Sequence, residues 1–418
     1  MARRKVRECT GKLLLERFMS IGLKCCQVNE KTDLEKLAKE NPWLKAMKLV
    51  VKPDMLFGKR GKSNLVLLDA DWNSAKDFIK KHMKKEAEVS GVKGILTHFI
   101  VEPFIPHREE YYFSMSTERD SDVILFSTAG GMDVEANWGK VVRIEVPVGE
   151  KADANAVGIA LVGKIPTEHK EKTAEFFAKA HAVFSDLDLS LLEMNPFTFD
   201  SNGNFVPLDL RMEMDDCASF KDDSKWGDIE FPEPFGRKPY PEEKFVQDLD
   251  SKTGASLKLT ILNPEGRIWT MVAGGGASVI FADTVVDLGY AKELSNYGEY
   301  SGDPNEEDTY QYAKTVLDLA TRHNNPKGKV LIIGGGIANF TDVANTFKGI
   351  VRALREYKDK LKKANMNIFV RRGGPNYQTG LKLMRELGAE IGVPIEVYGP
   401  ETSMTYVVPL AIKKLNGS

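Results

Sequence analysis

Two consecutive α/β domains are predicted for this chain from three observations: its length, a proline-rich passage just past the middle, and a strand, glycine turn and helix repeated beyond it. At 418 residues the chain exceeds what one hydrophobic core normally supports, and its 42% hydrophobic content can fill two. Trp226 to Glu243, WGDIEFPEPFGRKPYPEE, carries four prolines and no sustained period, which reads as an ordered connector draped over a surface. The boundary is placed near residue 245, giving domains 1–245, ending in the connector 226–243, and 246–418.

In the second domain the repeated unit is WTMVAGGGASV, KVLIIGGGIANFTD and MNIFVRRGGPNYQTG. Alternation of this kind predicts a parallel sheet with covering helices, and ligands of such sheets gather outside the carboxyl ends of the strands. Gly274, Gly275 and Gly276 follow one apolar strand, and Gly334, Gly335 and Gly336 follow another. Both triplets are expected to lead into helices whose free N–H groups favour an anion. Val279 and Asn339 stand where a dinucleotide fingerprint requires its third glycine, so an NAD site is not indicated. Asn339 and Thr341 offer neutral hydrogen bonds, whereas Asp342 reads as a helix N-cap. Arg371 and Arg372 end the third strand, and because adjacent strand residues face opposite ways, one of them is expected to enter the site. A guanidinium there suits a carboxylate, which it grips through two parallel bonds. The pocket is read as one for a polycarboxylate or an acyl phosphate.

The first domain alternates short β-branched runs (KLVVKP, SNLVLLDAD, ILTHFIVEPF, VILFSTAGG) with helical stretches such as Glu168 to Phe184. It has no Walker loop. VVKPDMLFGKRGK instead sets Lys52 at the end of an apolar run with a Lys59-Arg60-Gly61-Lys62 turn beyond it, supplying cations and mobile backbone for phosphates. FIVEPFIPHREEYY adds an extended segment whose backbone can read an adenine edge, with carboxylates at Glu102, Glu109 and Glu110 for ribose hydroxyls. LLEMNPFTFDSNGNFVPLDLR reads as two strands joined by a turn at Ser201, Asn202 and Gly203. Pairing around that turn brings Asn195 and Asp209 together, the one or two protein oxygens that Mg²⁺ takes in a nucleotide site.

Composition excludes other classes. A formal charge of −2, from 58 basic and 60 acidic residues, gives no bulk field toward nucleic acid or anionic membrane. Cys9, Cys25, Cys26 and Cys217 lack zinc spacing and are too few for a disulfide framework, which suggests a reducing compartment. No run of 18 apolar residues and no cleavable leader is visible, so the expected location is cytoplasmic.

The strings KLVVKPDMLFGKRGK, EPFIPH, LEMNPF, KWGDIEFPEPFGR, SLKLTILNPEGRIWTMVAGGGASV, GGGIANFTDV and FVRRGGPNYQ together resemble the ATP-citrate lyase family over nearly the whole chain. The resemblance is to its ATP-grasp and citrate-binding part, which is similar to the β subunit of succinyl-CoA synthetase. It implies an ATP-grasp domain followed by a Rossmann-like (flavodoxin-like) parallel-sheet domain of the CoA-ligase type. By carry-over, Lys52, Arg60 and Gly61 would hold nucleotide phosphates, Pro103 and Ile105 would line the adenine pocket, and Glu110 would sit near the ribose. Asn195 and Asp209 would bind Mg²⁺; Asn339, Thr341 and Arg372 would bind citrate, assisted by the backbone of Gly275 and Gly276.

The family's reaction, as the resemblance implies it, passes a phosphoryl group from ATP to a histidine, then to citrate, and CoA captures the citryl group. None of the six histidines (His82, His98, His107, His169, His181, His323) lies in a glycine-rich loop like the family's phosphohistidine loop, and no citrate-synthase-like region follows. The expectation is a hetero-oligomer whose partner subunit carries succinyl-CoA synthetase α-like and citrate-synthase-like modules and most of the CoA site. A citryl-CoA synthetase subunit without cleavage activity and a non-catalytic ATP- or citrate-binding regulatory subunit are the alternatives.

Overall fold

The β-branched runs of the first half become strands of two antiparallel sheets. The computed structural model describes residues 3–58, 60–131 and 141–417. Lys59 and the Lys62 side chain lie outside what is described. The chain divides into two units, Met1–Lys238 and Pro239–Ser418.

In the first unit a four-stranded sheet has the order β2 (Cys26–Asn29), β7 (His98–Pro103), β3 (Leu49–Pro53), β4 (Leu67–Ala70). Helix α2 (Trp72–His82) buries Trp72, Ala75 and Ile79 against it, and β5 (Glu86–Val89) and β6 (Val92–Ile95) form a separate hairpin. The larger sheet runs β1 (Arg3–Lys5), β13 (Leu210–Asp215), β11 (Leu189–Phe199), β8 (Tyr111–Thr117), β9 (Ser121–Ser127), β10 (Val142–Pro147), with β12 (Phe205–Pro207) hooked onto β11. Helix α1 (Glu8–Met19) and helix α3 (Thr167–Asp186) cover it, the latter two residues longer at one end than Phe184, where the sequence reading stops. Its aromatic core is tight: the Phe113 and Phe177 rings are 4.4 Å apart, and Phe176 and Phe205 stack at 3.7 Å.

The second unit is a six-stranded sheet, ordered β14 (Ser256–Ile261), β16 (Asn296–Ser301), β15 (Ile268–Ala273), β17 (Lys329–Gly335), β18 (Met366–Arg371), β19 (Ile395–Tyr398). All pairs are parallel except β14 with β16. Alternation sorts the strand side chains to two faces. Trp269, Met271, Leu331 and Ile333 meet helices α6 (Glu306–Arg322), α7 (Val343–Glu356) and α8 (Tyr377–Ile391) on one face. Ile268, Val272, Val330 and Ile332 meet helices α5 (Gly275–Asp287) and α9 (Val407–Leu415) on the other. With both faces covered, the central strands are apolar throughout, as parallel strands usually are.

The seam expected near residue 245 falls inside helix α4 (Pro241–Asp250). That helix belongs to the second unit: Val246 is buried in its core, and Glu243 accepts the Ile261 amide at 2.7 Å.

Candidate functional site: two anion-handling centres

In the first unit, β3 carries Lys52 as its last residue but one and runs straight into Asp54, and Asp54 organises what surrounds it. Its Oδ1 accepts the amides of Glu8 (2.8 Å) and Cys9 (3.4 Å), the first two residues of α1, whose own N-cap Arg7 makes no side-chain cap. An acid at the N-terminus of a helix satisfies orphan amides and opposes the helix dipole. The consequence is positional: Glu8 is set beside Lys52. Lys52 Nζ lies 2.8 Å from Glu8 Oε1 and 2.8 Å from Glu102 Oε1, and donates to the Leu208 carbonyl at 2.5 Å. Lys12, one turn along α1 from Glu8, also bridges Glu8 (2.8 Å) and Glu102 (2.5 Å). Arg60 completes the cluster, donating to Glu8 Oε2 at 2.7 Å, Pro53 O at 3.0 Å and Asp209 Oδ1 at 2.7 Å.

Three cations and three carboxylates thus meet around two residues the sequence had selected, Lys52 and Arg60, with Lys52 only 6% exposed. Burial works against the Glu8 carboxylate, yet Lys12, Lys52 and Arg60 together hold it well below the usual range. Burial likewise opposes the charged Arg60, and Asp209 and Glu8 overcome it. Asp209 keeps 39% of its side-chain surface, but the packing beneath it, with Glu8 close by, pushes its carboxyl up against the pull of Arg60. Glu8 and Lys12 were missed in the sequence; they sit far from the other motifs, and only the fold brings them in.

Asn195 and Asp209 do meet. The β11–β12 register, Phe199 with Phe205 and Phe197 with Pro207, carries the chain back, and the Asn195 amide donates to the Asp209 carbonyl at 3.1 Å. The Asn195–Pro196 peptide is cis. Asn195 Oδ1 accepts the Gly131 amide at 2.7 Å. Asp209 occupies the break between β12 and β13, its amide donating to the Pro196 carbonyl at 3.2 Å and its side chain held by Arg60. Pro103 ends β7 opposite Leu49, and Ile105, His107 and Glu110 follow in one loop. There His107 bonds the Ile105 carbonyl at 2.7 Å and Glu110 at 3.2 Å. Gly61 opens a short 3₁₀ turn beside Arg60, with open space where a side chain would project.

In the second unit, β15, β17 and β18 are parallel neighbours, so their three glycine turns share one edge of the sheet. They differ in kind. Gly274 has φ 100° and α5 starts directly at Gly275, a backbone region that suits glycine. Gly334 and Gly335 instead lie within β17, and a loop separates them from α7, contrary to the expected helix start. Close packing explains these glycines: a Cβ on Gly334 would come 2.5 Å from the Phe281 ring, and one on Gly335 would come 2.6 Å from Arg372 Nη1.

The two arginines part as alternation requires. Arg371 is spent on the fold, donating to the carbonyls of Gly335 (2.9 Å), Thr402 (3.0 Å) and Pro400 (3.4 Å). Arg372 is 5% exposed and donates to the Gly336 carbonyl at 3.0 Å, while its Nε has no hydrogen-bond partner. Among the described residues no carboxylate pairs with it, and burial depresses its affinity for the proton, with Arg371 adding to the effect. The loop bearing Asn339 and Thr341 is tied to the loop after Arg372: Ala338 N donates to Gly373 O at 2.9 Å and Val343 N to Pro375 O at 3.1 Å. Asn339 is exposed and Thr341 half-buried. Asp342 caps α7 through the Asn345 amide at 3.0 Å and accepts Asn376 at 2.6 Å.

Gly275 and Gly276 have a neighbour the sequence reading did not include. Glu299, buried on β16, lies where a Cβ on Gly275 would come 2.7 Å from its Oε2, and Ser256 donates to its other oxygen at 3.2 Å. A protein carboxylate therefore already stands beside the start of α5. β16 itself, NYGEYS, escaped notice because it lacks an apolar run.

These two centres coincide with two family models. Residues 2–226 match the ATP-citrate synthase ATP-grasp domain, and residues 237–414 match the ATP citrate lyase citrate-binding family. The chain belongs to the ATP-citrate lyase family. It is 56% identical to the ATP-citrate synthase alpha chain protein 2 of Oryza sativa subsp. japonica, covering 99% of each chain. An ATP citrate lyase from Methanothrix soehngenii, solved in complex with citrate and coenzyme A, superposes with a TM-score of 0.88 at 53% identity, over 99% of this chain and 100% of that one. The human ATP-citrate synthase is 48% identical over 99% of this chain, which spans 38% of that protein. As ATP-citrate lyase subunits, members of this family form an enzyme. No helix among the described residues is long and apolar enough to cross a membrane.

Proposed function

We propose that this chain binds MgATP in its first unit and citrate in its second, and that it forms citryl phosphate through a phosphohistidine on a partner subunit. The observation that carries the reading is Arg372: a buried guanidinium with an unpaired Nε and, among the described residues, no acid partner, at the glycine-rich edge where an α/β sheet gathers its ligand. Arg372, with Asn339 and Thr341 from the loop tied to its own, would grip citrate carboxylates, assisted by the amides of Gly275 and Gly276.

In the first unit, Lys52, Arg60 and the backbone of Gly61 would hold the phosphates, Pro103 and Ile105 the adenine, and Glu110 the ribose. The backbone bond between Asn195 and Asp209 makes them neighbours, and one amide and one carboxylate oxygen are a donor set of hard oxygens that fits Mg²⁺ sharing a nucleotide. Bound there, the ion would neutralise charge on the phosphates. Lys52 and Arg60 would add fixed positive charge around the transferring group, which is how most phosphoryl-transfer catalysis works. The γ-phosphoryl would move to an imidazole nitrogen of the partner, releasing ADP, and then to a citrate carboxylate oxygen. The CoA thiol would displace phosphate to give citryl-CoA, and cleavage would give acetyl-CoA and oxaloacetate. The human relative, which continues far beyond the matched segment, supports a partner that supplies these later steps.

Reconstitution with the partner subunit, ATP, citrate and CoA tests the reading. Oxaloacetate formation is expected. Accumulating citryl-CoA would mark a synthetase without cleavage activity, and turnover of succinate in place of citrate would overturn the substrate assignment.

A further inference from the structure

Two buried tyrosines lie side by side in the core of the second unit, and they differ in one respect. Tyr312, on α6, donates its hydroxyl to the Lys258 carbonyl at 3.1 Å. Tyr300, on β16, has its ring 6.0 Å from that of Tyr312 and is 1% exposed, yet its hydroxyl has no hydrogen-bond partner. Buried hydroxyls in folded proteins are nearly always satisfied, so an orphan asks for an explanation.

Position supplies one. β16 runs parallel to β15 and ends at the same edge as the glycine turns, the Tyr300 carbonyl accepting the Gly274 amide at 3.2 Å. Tyr300 packs with Trp269, Met271 and Ile333, on the sheet face to which Arg372 also points by alternation with Val370. The two side chains interact electrostatically: burial pushes the Tyr300 hydroxyl up to about 12, and the Arg372 charge pulls against it. At neutral pH Tyr300 therefore keeps its proton and is a donor. Arg372 Nε, also buried and without a partner, can only donate. Two buried groups that can donate, both without a hydrogen-bond partner, thus lie within electrostatic reach of one another, and no carboxylate of the described residues pairs with that guanidinium.

We propose that the Tyr300 hydroxyl is a further substrate-binding group, donating to the same carboxylate that Arg372 grips. The proposal rests on the reading of this edge as the citrate pocket. It makes Tyr300 a specificity residue for a carboxylate-bearing ligand, placed there by a strand with no glycine motif to announce it.

Calorimetric titration of citrate into the full chain, alongside thermal melts with and without citrate, tests the proposal on wild type, Tyr300→Phe and Arg372→Ala. Tyr300→Phe should weaken citrate binding about tenfold, the scale of one hydrogen bond to a charged group. It should leave the melting temperature without citrate unchanged or raised, because the lost hydroxyl bonds nothing in the fold. Propane-1,2,3-tricarboxylate, which lacks the hydroxyl of citrate, should show the same loss. Wild-type citrate affinity in Tyr300→Phe, with weakened binding in Arg372→Ala, would overturn the role of Tyr300 and leave the pocket standing. A lowered melting point without citrate would make the hydroxyl structural and overturn the proposal. If wild type binds no citrate, or Arg372→Ala binds it normally, the reading of the pocket fails and the inference with it.

Discussion

The two centres treat positive charge in opposite ways. In the first unit Lys12, Lys52 and Arg60 are matched by Glu8, Glu102 and Asp209, all within 2.8 Å of at least one cation. In the second, Arg372 is as deeply buried, and among the described residues no carboxylate pairs with it. A balanced cluster holds its cations in fixed positions, which suits the proposed phosphate-bearing ligand, MgATP. An unbalanced buried cation is costly until an anion arrives, and that cost becomes selectivity for a carboxylate.

Breaking the balance in the first unit should have the largest effects. Asp209→Ala removes an oxygen of the proposed metal site and uncouples Arg60, and the overall rate with ATP, citrate and CoA should fall by about 10²–10³ or more, the scale of losing one electrostatic transition-state contact. An assay at saturating citrate checks it. Arg372→Ala should raise the citrate concentration for half-maximal rate by about 10²-fold, since charge-assisted paired bonds are the strong ones. Steady-state kinetics with citrate varied at saturating ATP is the measurement.

Glu8→Gln should cost about 3–5 kcal/mol of stability, the usual penalty for breaking a buried ion cluster from one side, read from urea midpoints. Its pH dependence has a definite sign. The folded carboxyl is held below its ordinary value of 4.5, so its stabilising contribution is fully present above that pH and is lost as acid approaches the lower folded value. Wild type should therefore weaken on acidification below about pH 4.5 more steeply than Glu8→Gln. Smallest is Asp342→Ala, which removes the cap of α7 and should cost about 1 kcal/mol. Citrate affinity should not change, which would separate capping from binding in the Asn339–Asp342 loop.

The sequence made visible what local chemistry announces. Strand and turn residues around Asn195 and Asp209 carried their own register, and the alternation of Arg371 with Arg372 required them to part. What was not visible depends on long-range packing. Nothing near Glu8 marks it, because its role is fixed by Asp54 capping α1 from the end of another strand. Gly334 and Gly335 look like a turn but serve a strand, and only the approach of Phe281 and Arg372 shows why. β16 was hidden because its buried residues include Asn296, Glu299 and Tyr300 in place of an aliphatic run. Two groups at the same sheet edge, Glu299 and Tyr300, were hidden with it.

On the proposed reading, donation of the phosphoryl group from MgATP and capture of citrate belong to separate centres in separate units of one chain. Partner-subunit phosphorylation from labelled MgATP, measured without citrate for Asp209→Ala and Arg372→Ala in parallel, tests this most directly. The label should be lost in Asp209→Ala and stay at the wild-type level in Arg372→Ala; equal loss in both, or retention in Asp209→Ala, would contradict it.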